Sequence, residues 1–136
     1  MTVYIDSDVI LDVLLGREEF LMASSQVMNL CEIREISGHT TVLAITNIFY
    51  ILNRYHAANA KKAIKALREI LIVLPVSDLE LDKALNSSFR DFEDGVQNFT
   101  AESHGCEVII TRNKKDFSHS QLRVLTPGEY LLQVKS

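Results

Sequence analysis

The chain has 136 residues, 47% hydrophobic and 24% charged, a composition typical of a folded globular protein that excludes a disordered chain. Its net charge of -4 at pH 7 excludes a protein that holds nucleic acid through a global positive field, so a nucleic-acid partner would need metal ions or a local basic patch. The length predicts one domain over residues 1–136.

The cysteines and the apolar runs indicate a compartment. Cys31 and Cys106 are expected to be reduced core residues, since two thiols do not make a disulfide-stapled secreted scaffold. Asp12 and Asn47 interrupt the longest apolar stretches, so we expect no contact with a membrane. With no signal peptide recognisable before the first strand, the sequence predicts a cytoplasmic protein.

The first predicted element is a short apolar strand that ends on carboxylates. Residues 3–5 (Val-Tyr-Ile) have the β-branched and aromatic side chains of a buried strand, and Asp6 follows them directly. An apolar helix is predicted over about 8–15, capped by Ser7 or Asp8. Because ligands of open α/β sheets bind at the carboxyl ends of the strands, Asp6 is the first candidate functional residue.

The rest of the chain alternates between helical and strand patterns. Helices are predicted over about 18–34, 41–55 and 57–71, after a cap at Ser77, from an opening at 90–94 to His104, and from Pro127. Strands are predicted at 36–40, 72–76, 108–111 and 122–125, and residues 112–116 form a turn or short helix. Pro75 indicates a strand end or an edge strand. This alternation predicts an α/β fold with a mostly parallel sheet.

Acidic residues fall where such a sheet would bring them to one edge. Asp6 follows the first strand, Asp116 follows the turn after strand 108–111, and Asp94, or Asp91 one turn earlier, opens the helix before that strand. Several carboxylates in one cleft repel one another, and a bound divalent cation relieves the repulsion. Oxygen ligands favour Mg²⁺ or Mn²⁺, which can promote attack on a phosphodiester. Helix caps and solvated loops are the alternative interpretation of the same carboxylates.

Four blocks of sequence, in this order along the chain, resemble the PIN-domain family. They are Val-Tyr-Ile-Asp6-Ser-Asp8-Val-Ile-Leu-Asp12-Val-Leu, Ala44-Ile-Thr-Asn47-Ile-Phe-Tyr-Ile-Leu, Asp91-Phe-Glu-Asp94-Gly-Val-Gln and Ile110-Thr-Arg-Asn113-Lys-Lys-Asp116-Phe. The blocks span nearly the whole chain. The resemblance is greatest to small bacterial PIN proteins related to the ribonuclease toxins of toxin–antitoxin pairs.

The resemblance implies a fold, an activity and a set of site residues. The fold is a three-layer α/β/α sandwich with a mostly parallel central sheet, and the activity is metal-dependent endoribonuclease hydrolysis of RNA phosphodiester bonds, as in a toxin. Catalysis and metal ligation are assigned to Asp6, Asp94 and Asp116, with Asp8 and Asp91 as further candidate ligands. RNA is the implied substrate, Mg²⁺ or Mn²⁺ the cofactor, and an antitoxin protein and a second copy of the chain are the implied partners.

The chain departs from the family at three positions. The family usually has Glu where Asn47 stands, Asn where Asp8 stands, and often Asp where Asn113 stands. Asn47 removes one charge from the expected metal site, which Asp8 could restore, while Asn47 could offer a carbonyl oxygen or orient a water. A degenerate PIN module that binds RNA or a partner protein without catalysis is therefore the alternative function.

Residues beside the 108–111 strand are candidates for supporting roles. Thr111 could bond a ligand carboxylate or touch phosphate, and Asn113 is a further supporting residue. Arg112, Lys114 and Lys115 lie close enough to the predicted site to contact RNA.

A different enzyme class is the lesser alternative. Asp6-Ser-Asp8 nearly fits the Asp-x-Asp signature of haloacid-dehalogenase-like phosphatases, in which the first Asp is the nucleophile. Ile10 replaces the Thr or Val expected there, and the chain is short for that fold, although Asp91 and Asp94 could provide the late acidic pair.

Overall fold

The structure, a computed structural model, describes residues 1–135, and its described part contains one five-stranded sheet. The strands are β1 (Thr2–Ile5), β2 (Ser37–Thr41), β3 (Ile72–Leu74), β4 (Val108–Ile110) and β5 (Arg123–Leu125). Their spatial order is β3-β2-β1-β4-β5, and every pairing is parallel. The prediction of a parallel α/β sheet is confirmed.

Seven α-helices and two short 3-10 turns connect the strands within residues 1–135. The helices are α1 (Ser7–Leu14), α2 (Glu18–Glu32), α3 (Val42–Tyr55), α4 (Ala60–Ile70), α5 (Asp78–Leu85), α6 (Phe92–Ser103) and α7 (Pro127–Lys135). The 3-10 turns are Ala57–Asn59 and Lys114–Phe117. The predicted helix over 57–71 therefore consists of a 3-10 turn followed by α4.

Helices cover both faces of the sheet, because side chains alternate across each strand. Val3 and Ile5 of β1 belong to one hydrophobic core, which also holds apolar residues of α1, α2, α3 and α4. Tyr4 belongs to a second core with Ala101 of α6 and Phe117. Two cores on opposite faces give the three-layer α/β/α arrangement, as predicted.

The junction between β1 and α1 differs from the prediction that Ser7 or Asp8 caps the helix. Asp6 is the N-cap: its backbone is extended (φ -68°, ψ 151°), and its side chain accepts a hydrogen bond from the Ser7 backbone N–H at 2.8 Å. Asp6 thus ends the central strand and begins the first helix, a position where a carboxylate also interacts favourably with the helix dipole.

The edges of the sheet and the cysteines agree with the sequence. β3 is an edge strand and ends at Leu74, directly before Pro75. Cys31 and Cys106 are buried free thiols, and burial raises their pKa values to about 12 and about 11. Gly38 on β2 lets α2 approach the sheet, because a Cβ there would lie 2.4 Å from the Cys31 Sγ. In the described part of the chain, no helix has both the length and the apolar character that crossing a bilayer requires.

Candidate functional site

Three elements carry the predicted acidic residues to the carboxyl edge of the sheet. Asp6 ends β1, Asp94 lies in the first turn of α6, and Asp116 lies in the 3-10 turn after β4. The charge of Asp94 contributes to raising the pKa of Asp6, and the charge of Asp116 contributes to raising that of Asp94. Asp94 therefore lies near enough to both Asp6 and Asp116 to interact with them electrostatically.

Asp6 is held from two sides and is almost fully buried. Its Oδ2 accepts a hydrogen bond from the Thr111 hydroxyl at 2.7 Å, and its Oδ1 accepts the Ser7 N–H. Burial raises the pKa of Asp6 to about 7, and the neighbouring charge of Asp8 adds to that rise. Of the two roles predicted for Thr111, the structure shows the hydrogen bond to a carboxylate.

Asp8 has one satisfied carboxylate oxygen and one that is not. Its Oδ2 accepts a hydrogen bond from the Asn113 Nδ2 at 2.8 Å, while its Oδ1 is buried and has no hydrogen-bond partner among residues 1–135. Burial raises the pKa of Asp8, and the charge of Arg112 partly offsets that rise. A buried carboxylate oxygen without a donor is costly unless a cation or another group satisfies it.

Asp94 has the most acidic surroundings of the predicted ligands. Burial raises its pKa to about 7, followed by the charges of Asp91, Asp116 and Glu93. Asp91 is the N-cap of α6, and its Oδ1 accepts a hydrogen bond from the Asp94 N–H at 2.9 Å. One oxygen of Asp91 is thus engaged in capping. The carboxylate of Asp116 is exposed.

Asn47 contacts a carboxylate on another helix. Its Nδ2, on α3, donates a hydrogen bond to Oε1 of Glu93 on α6. A carboxylate from α6 therefore lies beside the position where the family usually has Glu. Sequence reasoning did not find this pairing, since the two residues are 46 positions apart. The one available signal was the position of Glu93 between Asp91 and Asp94.

Arg112 belongs to a hydrogen-bonded network around the buried Asp12 of α1. Its Nε donates to Oδ2 of Asp12 at 2.8 Å, and its guanidinium lies 3.9 Å from the centre of the Phe20 ring. Asp12 is fully buried and also accepts a hydrogen bond from the Ser24 hydroxyl at 3.1 Å. The cation predicted to contact RNA is thus committed to Asp12.

The two predicted lysines have different surroundings. Lys114 Nζ lies 3.1 Å from Oε1 of Glu129. Lys115 lines a cleft of about 420 Å³ beside the carboxylates, together with Arg90 and His119, two residues that sequence reasoning did not include. Of the three predicted basic residues, Lys115 is thus the one that lines this cleft with Asp91, Asp94 and Asp116.

The donor chemistry of the site suits a divalent cation, although the side chains as they stand do not enclose one. Within residues 1–135, no group of three or more His, Cys, Asp or Glu side chains has a geometry that could hold a metal ion. The predicted ligands are nevertheless all oxygen donors, and Asp8 Oδ1 is buried without a partner in the described part of the chain. Oxygen donors gathered in this way fit a hard cation such as Mg²⁺ or Mn²⁺.

Carboxylates at the carboxyl edge of a parallel sheet define a class of α/β proteins that bind their ligand at that edge. The sequence pattern of the PIN domain matches residues 2–115, and the chain belongs to the PIN domain family. The resemblance seen in the four sequence blocks is confirmed. Membership of this family gives the phosphatase interpretation no support.

Known proteins similar to this chain cover nearly its full length. Ribonuclease VapC1 of Aquifex aeolicus is 29% identical over 133 residues, which is 94% of this chain and 92% of that protein. A toxin–antitoxin complex from Klebsiella pneumoniae has a TM-score of 0.71 at 20% identity, over 93% of this chain and 98% of the other. VapBC-1 from nontypeable Haemophilus influenzae has a TM-score of 0.70 at 18% identity, over 94% and 99%. The structural similarities confirm the fold.

Proposed function

We propose that this protein is a metal-dependent endoribonuclease that hydrolyses RNA phosphodiester bonds. The observation that carries the proposal is the gathering of carboxylates at the sheet edge, where burial and neighbouring charges raise the pKa values of Asp6 and Asp94 to about 7. Asp6 and Asp94 form no salt bridge within residues 1–135, and carboxylates so arranged are suited to a bound metal ion. Membership of the PIN domain family and similarity to a protein named a ribonuclease support the same activity.

The metal ion that we propose is Mg²⁺ or Mn²⁺. Asp6, Asp94 and Asp116 would hold it, with Asp8 and Asp91 as further candidate ligands. When bound, the ion supplies a Lewis acid that neutralises charge as a phosphodiester is attacked. Its binding would also relieve the repulsion that, after burial, contributes to the raised pKa values of Asp6 and Asp94.

Three polar side chains orient the carboxylates in this proposal. The Thr111 hydroxyl fixes Asp6, and the Asn113 amide fixes Asp8, each through one direct hydrogen bond. Asn47 holds Glu93, so that α6 supplies the negative charge that the family usually places on α3. This arrangement favours an active nuclease over a degenerate module, because the carboxylate of Glu93 lies beside Asn47 and can replace the charge that the family's Glu would carry.

The proposed partners follow from the neighbours. Both solved structures cited above are toxin–antitoxin complexes or a VapBC pair, and we propose an antitoxin protein as a partner of this chain, which would make it the toxin. RNA as substrate, a homodimer and a cytoplasmic location remain predictions from the sequence.

The test of this function is cleavage of labelled single-stranded RNA by the full-length protein, with Mg²⁺, with Mn²⁺ and with EDTA. We expect metal-dependent cleavage that falls at least about 100-fold in Asp6→Asn and in Asp94→Asn, as when a metal ligand is lost. Asp78→Asn, at an exposed carboxylate in the first turn of α5, is the charge-matched control and should cleave normally. Cleavage that continues in EDTA, or in Asp6→Asn, would contradict the proposal. Phosphorylation of Asp6 by a phosphate donor would favour the phosphatase instead.

A further inference from the structure

A cleft of about 420 Å³ opens beside the proposed metal site, lined by the N-terminal approach to α6 and by the segment after β4. Its charged and titratable lining residues are three acids, Asp91, Asp94 and Asp116, and three bases, Arg90, Lys115 and His119. The acids belong to the site already described. The bases are not metal ligands in the proposed site. Their positive charges beside the carboxylates suit a negatively charged ligand.

The cations of this cleft are available to a ligand. In the part of the chain that the structure describes, neither Arg90 nor Lys115 forms a salt bridge, although each is adjacent in sequence to an aspartate. The neighbouring Lys114 is paired with Glu129, and Arg112 is paired with Asp12. Although the net charge of the chain is -4, two cations that form no salt bridge within residues 1–135 lie next to three carboxylates in this cleft.

Aromatic packing holds the third base in place. The His119 ring lies edge-to-face against Phe89, with centroids 6.1 Å apart. Phe89 in turn packs against Phe117 at 6.3 Å and Phe99 at 5.7 Å, which joins the segment after the 3-10 turn to α6. The imidazole is exposed at the cleft while its position is set by the ring cluster. An exposed planar ring on a rigid support is a platform on which a nucleic-acid base can stack.

We propose that this cleft is a subsite for one nucleotide of single-stranded RNA next to the phosphodiester that is cut. Arg90 and Lys115 bind its phosphate, and His119 stacks on its base. The proposal rests on the ribonuclease function proposed above. A volume of about 420 Å³ lies within the range of small-ligand sites. The cations also offset the repulsion between the acidic cluster and the RNA backbone, which the net charge of the chain would otherwise increase.

The test is binding of a short fluorescein-labelled single-stranded RNA to the full-length protein in EDTA, followed by fluorescence anisotropy over a series of salt concentrations. We expect Arg90→Ala and Lys115→Ala each to weaken binding about fivefold to tenfold and to lower the salt slope by about one. His119→Ala should weaken binding about fivefold with an unchanged slope, because stacking does not release counterions. Lys115→Gln, which keeps an uncharged side chain of similar length, should behave like Lys115→Ala.

Two lysines serve as comparisons. Lys62 is exposed on α4, and Lys62→Ala loses the same charge away from the cleft, so its binding should change less than twofold. Lys114→Ala should weaken RNA binding less than Lys115→Ala does, because Lys114 already forms a salt bridge with Glu129. An equal loss of RNA affinity in Lys62→Ala and Lys115→Ala would overturn the subsite. So would wild-type affinity in both Arg90→Ala and Lys115→Ala, or the absence of RNA binding by the wild-type protein.

The outcome is separable from that of the nuclease proposal. If binding depends on Arg90 and Lys115 but no RNA is cleaved with Mn²⁺, binding of RNA in this cleft is supported and the nuclease proposal fails. If RNA is cleaved and Asp6→Asn abolishes cleavage, while binding is indifferent to Arg90 and Lys115, the subsite is wrong and the nuclease proposal holds. Thermal unfolding of each variant checks that it is folded.

Discussion

Asp6 and Asp12 are buried aspartates at the start and in the body of the same helix, and their surroundings are opposite. Asp12 is fully buried with Arg112 at 2.8 Å, Arg17 at 3.5 Å and the Ser24 hydroxyl at 3.1 Å. Asp6 is 8% exposed and receives two hydrogen bonds but has no cation within salt-bridge distance among residues 1–135. Removing one partner of a buried ion pair is costly because it leaves the other charge unpaired, whereas a buried carboxylate without a cation is a candidate to bind a ligand that carries positive charge.

The largest expected effect comes from breaking the paired side of this comparison. Asp12→Ala leaves Arg112 without its partner and should lower the free energy of unfolding by about 3 kcal/mol, the usual order of loss when one partner of a buried pair is removed. Urea denaturation measures it. Asp78→Ala, at an exposed site on α5, should change stability by less than about 0.5 kcal/mol. A loss below about 1 kcal/mol in Asp12→Ala would mean that the network contributes little to stability.

Asp6 and Asp94, which have no paired cation within residues 1–135, should make the stability of the protein fall as pH rises. The pKa values of Asp6 and Asp94 are raised to about 7, so the folded state binds more protons than the unfolded state between about pH 4 and 7. In EDTA, the free energy of unfolding should therefore decrease from pH 5 to pH 8, by about 2 kcal/mol from Asp6 alone. Glu80 and Glu129, whose pKa values are lowered, complete their titration below this window.

Asparagine variants provide the control for this pH profile. Asp6→Asn and Asp94→Asn remove one titrating carboxylate each, so each should flatten the profile and be more stable than the wild-type protein at pH 8. The measurement is urea denaturation at a series of pH values. A free energy of unfolding that is constant or rises between pH 5 and pH 8 in the wild-type protein would contradict the raised pKa values of Asp6 and Asp94.

The contact between Asn47 and Glu93 allows a test of whether Glu93 replaces the charge of the family's usual Glu at position 47. Glu93→Gln and Asn47→Ala should each slow metal-dependent RNA cleavage about tenfold, and the double variant should be no slower than either alone, because both remove one interacting unit. Asn98 and Glu102 form a similar amide–carboxylate pair on α6, away from the sheet edge, and Glu102→Gln is the matched control. Additive losses in the double variant would show that the two residues act separately.

The smallest expected effect is that of the Thr111 hydroxyl. Thr111→Val keeps the β-branched shape and removes the donor to Asp6, so we expect cleavage to slow about fivefold through a less well oriented carboxylate. Thr46→Val, which removes an exposed hydroxyl that bonds to the Val42 carbonyl, is the control. Cleavage rates at saturating Mn²⁺ distinguish orientation from metal affinity; an unchanged rate in Thr111→Val would remove Thr111 from the site.

Much of the fold was predictable because its central strands are buried on both sides. Residues 3–5 and 108–110 are continuous apolar runs, as expected of interior parallel strands, and they pair with each other in the structure. The cap of α1 was wrong by one position, since it depends on the backbone conformation at the strand end rather than on residue type. The split of the predicted 57–71 helix likewise follows from local hydrogen bonding that periodicity does not report.

The placement of the candidate carboxylates at one sheet edge was predictable, and their hydrogen-bond partners were less so. Asp6 and Asp116 follow parallel strands, and the rule on strand ends is enough to bring them to one edge. The pairing of Arg112 with Asp12 joins residues 100 positions apart, and that of Asn47 with Glu93 joins residues 46 apart. Such contacts depend on how helices pack on the sheet, which spacing along the chain does not determine. Arg112 and Lys114 consequently ranked beside Lys115 as RNA contacts until the structure separated them.

The central claim is that the unpaired carboxylates at the sheet edge receive a divalent cation, and a calorimetric titration with Mn²⁺ at pH 7.5 tests it most directly. We expect saturable binding to the wild-type protein that is lost or weakened at least about tenfold in Asp6→Asn and Asp94→Asn, and that is unchanged in Asp78→Asn. Binding should release protons, because Mn²⁺ displaces them from carboxylates whose pKa values are near 7. Wild-type protein that binds no Mn²⁺, or Asp6→Asn that binds it as tightly as wild type, would contradict the claim.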